Sequence, residues 1–299
     1  MRHFWNWKNY QIAWQLEGNK NDAAVATVLI HGFGACKDHW RYNQTEISTI
    51  SPCYAIDLIG FGESSQPNSQ LLFEKKAPTN FHYCFDNWSK QIIDFCNEKV
   101  KKPVILVGNS IGAVVALNAS AKLLHGCSGI ILIDCAQRTM DDKRLSEQSL
   151  PMRFLRPIIK TLVRQRFLSS SLFKNASNAK FIEKVLLVAY PSKKNVNQEL
   201  INLLLKPTKR KGSAEAFRGF INLFNDHLAP ELLKNIKIPV YLIWGEKDPW
   251  EPLEEAQKWF KKFECIKSLD IIPRAGHCPH DEMPEKVNPI LKKIIQEAI

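Results

Sequence analysis

Gly108-Asn109-Ser110-Ile111-Gly112 is the one Gly-x-Ser-x-Gly in the 299 residues. Composition alone would produce such a pattern in about one chain of this length in ten, so its setting has to carry the inference. The pentapeptide follows the apolar run Pro103–Gly108 (PVILVG) and leads into the Ala-rich, helical stretch Ile111–Leu124. A tight strand-to-helix turn lifts a serine side chain clear of a sheet, and the two glycines let strand and helix approach where a Cβ would clash. The helix N-terminus below favours the negative charge that develops when the serine attacks a carbonyl.

A serine hydroxyl is a poor nucleophile until a neighbouring base takes its proton. His277 is the candidate base, in Ala275-Gly276-His277-Cys278-Pro279-His280 directly after the last strand-like run. His280 is its rival, and His277 is preferred because it follows Gly276 at the strand end. Asp248, in Trp244-Gly245-Glu246-Lys247-Asp248-Pro249-Trp250, is the candidate to orient that base. It is preferred over Glu246 because it lies deeper in the loop and precedes a proline. Asp134 ends another strand and is expected to cap or brace a loop. A tetrahedral oxyanion needs two preorganised N–H donors. The backbone of Ile111, just after the serine, supplies one. The loop His31-Gly32-Phe33-Gly34 supplies the other, at Phe33. His31 itself is expected to be a structural hydrogen-bonder.

Alternating strands and helices must position these groups. Strand-like runs fall at Ala24–Ile30, Cys53–Asp57, Pro103–Gly108, Gly129–Asp134, Ile238–Trp244 and Lys267–Ile272. Helical spacing falls at Asp86–Glu98, Ile111–Leu124, Pro252–Lys262 and Pro284–Ala298. The pattern predicts an α/β fold with a mostly parallel sheet and helices on both faces. In such sheets sites form beyond the carboxyl ends of the strands, where the serine, the aspartate and the histidine would all emerge. From Arg138 to Lys234 the rhythm breaks, with helix-like segments only: Met152–Phe167, Ala179–Ala189, Asn197–Leu205 and Ser213–Phe224. The expected organisation is a core of residues 1–136 and 233–299, with residues 137–232 inserted as a helical cap.

Charge follows the same division. The chain carries a net charge of +11, and residues 137–232 hold 18 Lys/Arg against 8 Asp/Glu, a surplus of +10. Eight scattered cysteines without a Cys-x-x-Cys pair read as reduced, buried thiols. No metal-ligand spacing and no dinucleotide fingerprint is present, because position 37 is lysine where Gly-x-Gly-x-x-Gly needs glycine; no cofactor is expected. The basic surplus comes with no nucleic-acid-binding motif, so no nucleic-acid partner is expected. Without an apolar leader or spanning run, the sequence is expected to work in a cytoplasm.

The segments HGFGACKDHWRYN (31–43), DLIGFGES (57–64), GNSIG (108–112), WGEKDPWEP (244–252) and GHCPHDEMPEKVNP (276–289) resemble the α/β-hydrolase superfamily. The last two are similar to the pheophytinase and chlorophyll dephytylase group, which cleaves the phytyl ester of chlorophyll pigments. Ala113 stands where many relatives carry a second glycine. The resemblance implies a serine hydrolase acting on a lipophilic carboxylic ester, with residues 137–232 closing over the site. The apolar residues of 152–163, among them Phe154, Leu155 and Ile158, are expected to line a tail pocket. The arginines and lysines between them are expected to favour peripheral contact with an anionic membrane. A C–C bond hydrolase of ring-cleavage products, which shares the Gly-Asn-Ser elbow, is the enzymatic alternative. A slow-turnover ligand-sensing protein of the same fold is the alternative from another class.

Overall fold

The computed structural model describes residues 2–298. Its eight strands are β1 (Arg2–Trp7), β2 (Tyr10–Glu17), β3 (Ala26–Ile30), β4 (Cys53–Ile56), β5 (Val104–Asn109), β6 (Cys127–Ile133), β7 (Val240–Gly245) and β8 (Ile266–Ile272). They form one sheet in the order β1-β2-β4-β3-β5-β6-β7-β8. From β4 to β8 every neighbouring pair is parallel, and β1 and β2 join antiparallel at one edge. This is the α/β-hydrolase fold. The register aligns Ile30 with Gly108, Asn109 with Ile133, Ile133 with Ile243 and Gly245 with Ile272, so five strands deliver their carboxyl ends to one edge.

The β1–β2 hairpin is an element the sequence reading did not assign. Lys8 and Asn9 both take positive φ, 48° and 68°, the conformation a two-residue turn needs to match the strand twist. Alternation then buries Trp5 and Trp7, whose indole N–H groups donate to Glu98 at 2.9 Å and Asp94 at 2.8 Å.

Helices α1 (Gln44–Ser48), α2 (Phe85–Phe95) and α3 (Ile111–Ser120) precede β6. All ten residues of α3 are buried, which its small, apolar, unsided composition allows. Between β6 and β7 the chain is helical: α4 (Leu150–Arg164), α5 (Arg166–Ala176), α6 (Ala179–Ala189), α7 (Gln198–Thr208), α8 (Ser213–Ile221) and α9 (Ala229–Leu233). Sequence spacing predicted one helix across 152–167; instead Gln165 adopts an extended conformation and separates α4 from α5. After β7 come α10 (Leu253–Lys262), the short α11 (Pro279–Glu282) and α12 (Pro284–Ala298), which buries Val287, Leu291, Ile294 and Ile295 on one stripe.

The tightest contact in the core is backbone against backbone. A Cβ at Gly112 would overlap the Ile30 carbonyl oxygen, and one at Gly108 would overlap the backbone of Gly112. Replacing Gly112 by alanine gains about 1 kcal/mol of helix propensity. The overlap with a strand carbonyl costs about 1–3 kcal/mol or more and should win. Gly112→Ala is therefore expected to lower the urea midpoint at unchanged slope; a variant as stable as the parent would show that α3 and β3 are not in this contact.

Candidate functional site

Ser110 joins β5 to α3 with φ 55° and ψ −120°. A positive φ at a residue bearing a Cβ costs on the order of 1–3 kcal/mol and persists only where the surroundings hold it. Here the Ser110 N–H donates to Ile133 O at 3.0 Å, and its carbonyl accepts from Ala113 N–H at 3.1 Å and Ala136 N–H at 3.2 Å. The turn exposes the side chain to a cavity of about 510 Å³, which His277 also lines.

Asp248 Oδ2 lies 2.8 Å from His277 Nδ1. A carboxylate cannot donate, so Nδ1 carries the proton and Nε2 is left as the basic nitrogen. Asp248 Oδ1 accepts from the N–H groups of Trp250 and Glu251 at 2.9 and 3.1 Å. Burial works against both ionised forms, yet their mutual attraction wins: the Asp248 carboxyl is held below its ordinary pKa and the His277 imidazole above its own. No hydrogen bond joins the Ser110 hydroxyl to the imidazole; the two face the same cavity.

Two further acids stand behind this pair. Asp134, fully buried at the end of β6, accepts from Gly245 N–H at 2.9 Å through Oδ1, while Oδ2 meets no donor. Burial first, then the charge of Asp248, push its pKa well above the ordinary carboxylate value. Glu251, also on the cavity, is raised by burial to about 7 and accepts from Gln137 N–H at 2.8 Å.

Ile111 occupies the first position of α3, where an amide has no intrahelical acceptor. The Phe33 amide has no acceptor among the described residues. The Phe33 ring stacks on Phe220 of α8 with centroids 3.8 Å apart, so the helical insert holds the loop that carries this amide. His31 is buried, with Nδ1 2.7 Å from Gly32 O and Nε2 accepting from Leu58 N–H at 3.0 Å. Burial lowers its pKa to about 4, and the neutral ring serves as the structural bridge that the sequence reading expected.

The rivals lie elsewhere. His280 is buried against Trp40 at 4.4 Å and His39 at 5.1 Å, and burial drives its pKa far down. Glu246 is exposed and accepts from Arg274 N–H. Phe154 requires a correction: it is 79% exposed and does not border the cavity, and Leu155, Ile158 and Leu162 are exposed with it. Arg156 and Lys160 turn the opposite edge of α4 inward by sharing the Asp142 carboxylate, which rotates the apolar stripe away. The apolar wall comes instead from α5, α6 and α8, through residues such as Phe173, Ile182, Val185, Leu186 and Phe217.

Several groups at the site escaped the sequence reading. Asn109, beside the serine, donates to the His277 carbonyl at 3.1 Å and to Ile133 O at 3.2 Å, tying the elbow to the histidine loop. The end of α6 holds that loop from the other side, since His277 N–H donates to Ala189 O at 2.9 Å. Next to it, Tyr190 donates to Asp281 at 2.9 Å and accepts from His39 at 2.8 Å, while Arg41 grips both oxygens of Asp281. Trp250 packs edge-on to the imidazole with centroids 4.9 Å apart. The Gly-Asn-Ser triplet and the aromatic after Asp248-Pro249 were visible signals; the Tyr190–Asp281 clasp, 91 residues apart, had none.

Residues 27–290 match the sequence profile described as the Alpha/beta hydrolase family. Pheophytinase, chloroplastic, of Arabidopsis thaliana is 24% identical over 312 aligned positions, covering 96% of this chain. The chain spans 64% of that relative's own length. Among solved structures, the meta-cleavage product hydrolase of Pseudomonas fluorescens IP01 superposes with TM-score 0.74 at 17% identity over 99% of this chain and 98% of its own. A thermophilic esterase from Thermogutta terrifontis superposes with TM-score 0.72 at 20% identity over 100% and 99%. At these identities the two structures bear on the fold alone.

The ion pair makes a titration prediction. Asp248→Asn removes the charge that outweighs burial, so the His277 midpoint should fall from above 6.5, the ordinary histidine value, to below it. Imidazole NMR reads this directly, and an unmoved midpoint would break the assignment. Because its folded value is raised, the contribution of His277 protonation to stability is full below the unfolded histidine pKa and lost as pH climbs through the folded one; that of Asp248, whose pKa is lowered, is lost as pH falls through its folded value.

Proposed function

This chain belongs to the alpha/beta hydrolase family, and on that footing we propose that it is a serine hydrolase that cleaves lipophilic carboxylic esters through an acyl-enzyme. The observation that carries the reading is the 2.8 Å Asp248–His277 contact, whose imidazole lines an apolar cavity that Ser110 also faces.

In the proposed cycle His277 Nε2 takes the Ser110 proton as Oγ attacks the ester carbonyl carbon. The amides of Phe33 and Ile111 donate to the tetrahedral oxyanion. The carbon–alkoxide bond then breaks, and the imidazolium returns its proton to the departing alcohol. A water molecule next attacks the acyl-enzyme, giving a proton to His277, and Ser110 is restored as the carboxylic acid leaves. Asp248 fixes the imidazole tautomer and stabilises the imidazolium, without itself taking the proton.

The apolar lining from α5, α6 and α8 favours a long hydrocarbon chain over a polar substrate. The likeness to pheophytinase makes the phytyl ester of a chlorophyll pigment the first substrate to test.

Ser110→Ala is expected to lower turnover of p-nitrophenyl esters by roughly 10⁴–10⁶-fold with an unchanged melting temperature, and to abolish labelling by a fluorophosphonate. Specificity should rise with acyl chain length; equal rates for acetate and long-chain esters would count against the substrate reading. Turnover of a vinylogous diketone with no ester cleavage would favour the C–C alternative. With His277 as base, kcat/KM should climb with pH through an inflection above 6.5, the ordinary histidine value. A flat profile from pH 5 to 9 would remove His277 from this role.

A further inference from the structure

Helix α4 is turned inside out. Its inward edge is basic: Arg156 is buried, Arg156 and Lys160 both bind Asp142, and both lie over the Phe224 ring at 5.6 and 4.9 Å. Its outward side carries Leu150, Phe154, Leu155, Ile158 and Leu162, each 48–79% exposed. Fifteen residues at about 1.5 Å each make this a ridge roughly 22 Å long. Phe167, at the start of α5, extends the apolar surface, and so does Phe73, held 4.8 Å beneath the guanidinium of Arg164. Thirteen of the 21 exposed large apolar side chains among the described residues fall in 137–232, and apart from Phe181 and Val185, which line the cavity, they lie outside it.

Charge identifies what covers this ridge. Arg153 and Arg164, exposed along its edge, pair with no acid among the described residues, and Lys75 and Lys76 are exposed on the loop beside Phe73. Four acids of the insert are committed to other cations: Asp141 to Arg138, Asp142 to Arg156 and Lys160, Glu147 to Arg144, and Glu215 to Arg166. A second copy of this chain would bring the same uncompensated positive rim against its own. A convex apolar ridge between unpaired cations matches the boundary of an anionic lipid layer, where side chains enter the acyl region and guanidinium groups stay with the headgroups.

We propose that the outward face of α4, with Phe167 and Phe73 at its end, docks this protein on an anionic lipid surface. The docking stands on surface chemistry alone and is independent of the role of Ser110. It places α5, whose Phe173 lines the cavity, immediately behind the bound ridge.

Co-sedimentation of the full chain with phosphatidylcholine vesicles, with and without phosphatidylglycerol, tests this. The parent should pellet with the anionic vesicles and bind less as salt is raised. Phe154→Ser with Ile158→Ser should weaken that binding at least about tenfold. Arg153→Gln with Arg164→Gln should weaken it roughly tenfold on anionic vesicles only. All four sites are solvent-facing, so melting temperature and circular dichroism should match the parent and exclude misfolding. A parent that stays in the supernatant with anionic vesicles, or a double-serine variant that binds as well as the parent, would overturn the proposal. So would a concentration-dependent dimer in sedimentation velocity that the double-serine variant abolishes, which would make a second copy the occupant.

Discussion

The backbone contact among Gly108, Gly112 and Ile30 is the constraint on which the site rests. Where α3 presses onto the ends of β3 and β5 with no side chain between them, the link from strand to helix is too short for a relaxed turn. Ser110 therefore stands at positive φ, held by three backbone hydrogen bonds to β6, α3 and the segment after β6. The same closeness brings the Ile111 and Phe33 amides to the rim that Ser110 occupies. Asn109 carries the constraint further by bonding the His277 carbonyl. A local steric fact thus sets the position of groups that lie far apart in the chain.

Electrostatics adds a second ordering. Three buried or half-buried acids surround one imidazole, and three charges there would cost far more desolvation than a single cation could return. Their unequal surroundings resolve the conflict. Asp248 has the imidazole and two amides, which hold its pKa down; Asp134 has one amide and no cation, and burial pushes its pKa well up; Glu251 is raised to about 7. Of the three, Asp248 is the acid whose surroundings favour the charged form, and it is the one in contact with the imidazole.

The helical insert has two unlike surfaces, each with its own anchoring. Inside, α5, α6 and α8 supply the apolar cavity wall, and the clasp of Tyr190, His39, Arg41 and Asp281 pins the end of α6 to the core beside the histidine loop. Outside, α4 exposes its apolar stripe because Arg156 and Lys160 are drawn inward to Asp142 and Phe224. Half-buried ion pairs, with both cations set over the Phe224 ring, here decide which face of a helix looks at solvent.

Much of this was written in local sequence. Alternating apolar strands and helical stretches announced the parallel sheet, and the strand–Gly-Asn-Ser-Ile-Gly–helix context marked Ser110, since both follow from side-chain periodicity and short-range sterics. Asp248 and His277 stood out by lying just past strand ends, which the parallel sheet brings to one edge. The N-terminal hairpin went unassigned because its turn, Lys8-Asn9, lacks the usual glycine and its aromatic strands carry polar partners. What only the tertiary structure decided are the long-range choices: that Asn109 grips the His277 loop, that Tyr190 clasps Asp281, that Asp134 is buried against the end of β7, and that Phe154 faces outward. The orientation of α4 shows the reason most plainly. Its sequence holds an apolar arc and a basic arc of similar strength, and no local rule says which is buried. A single carboxylate on a neighbouring turn, Asp142, settles it by pairing with Arg156 and Lys160 in space.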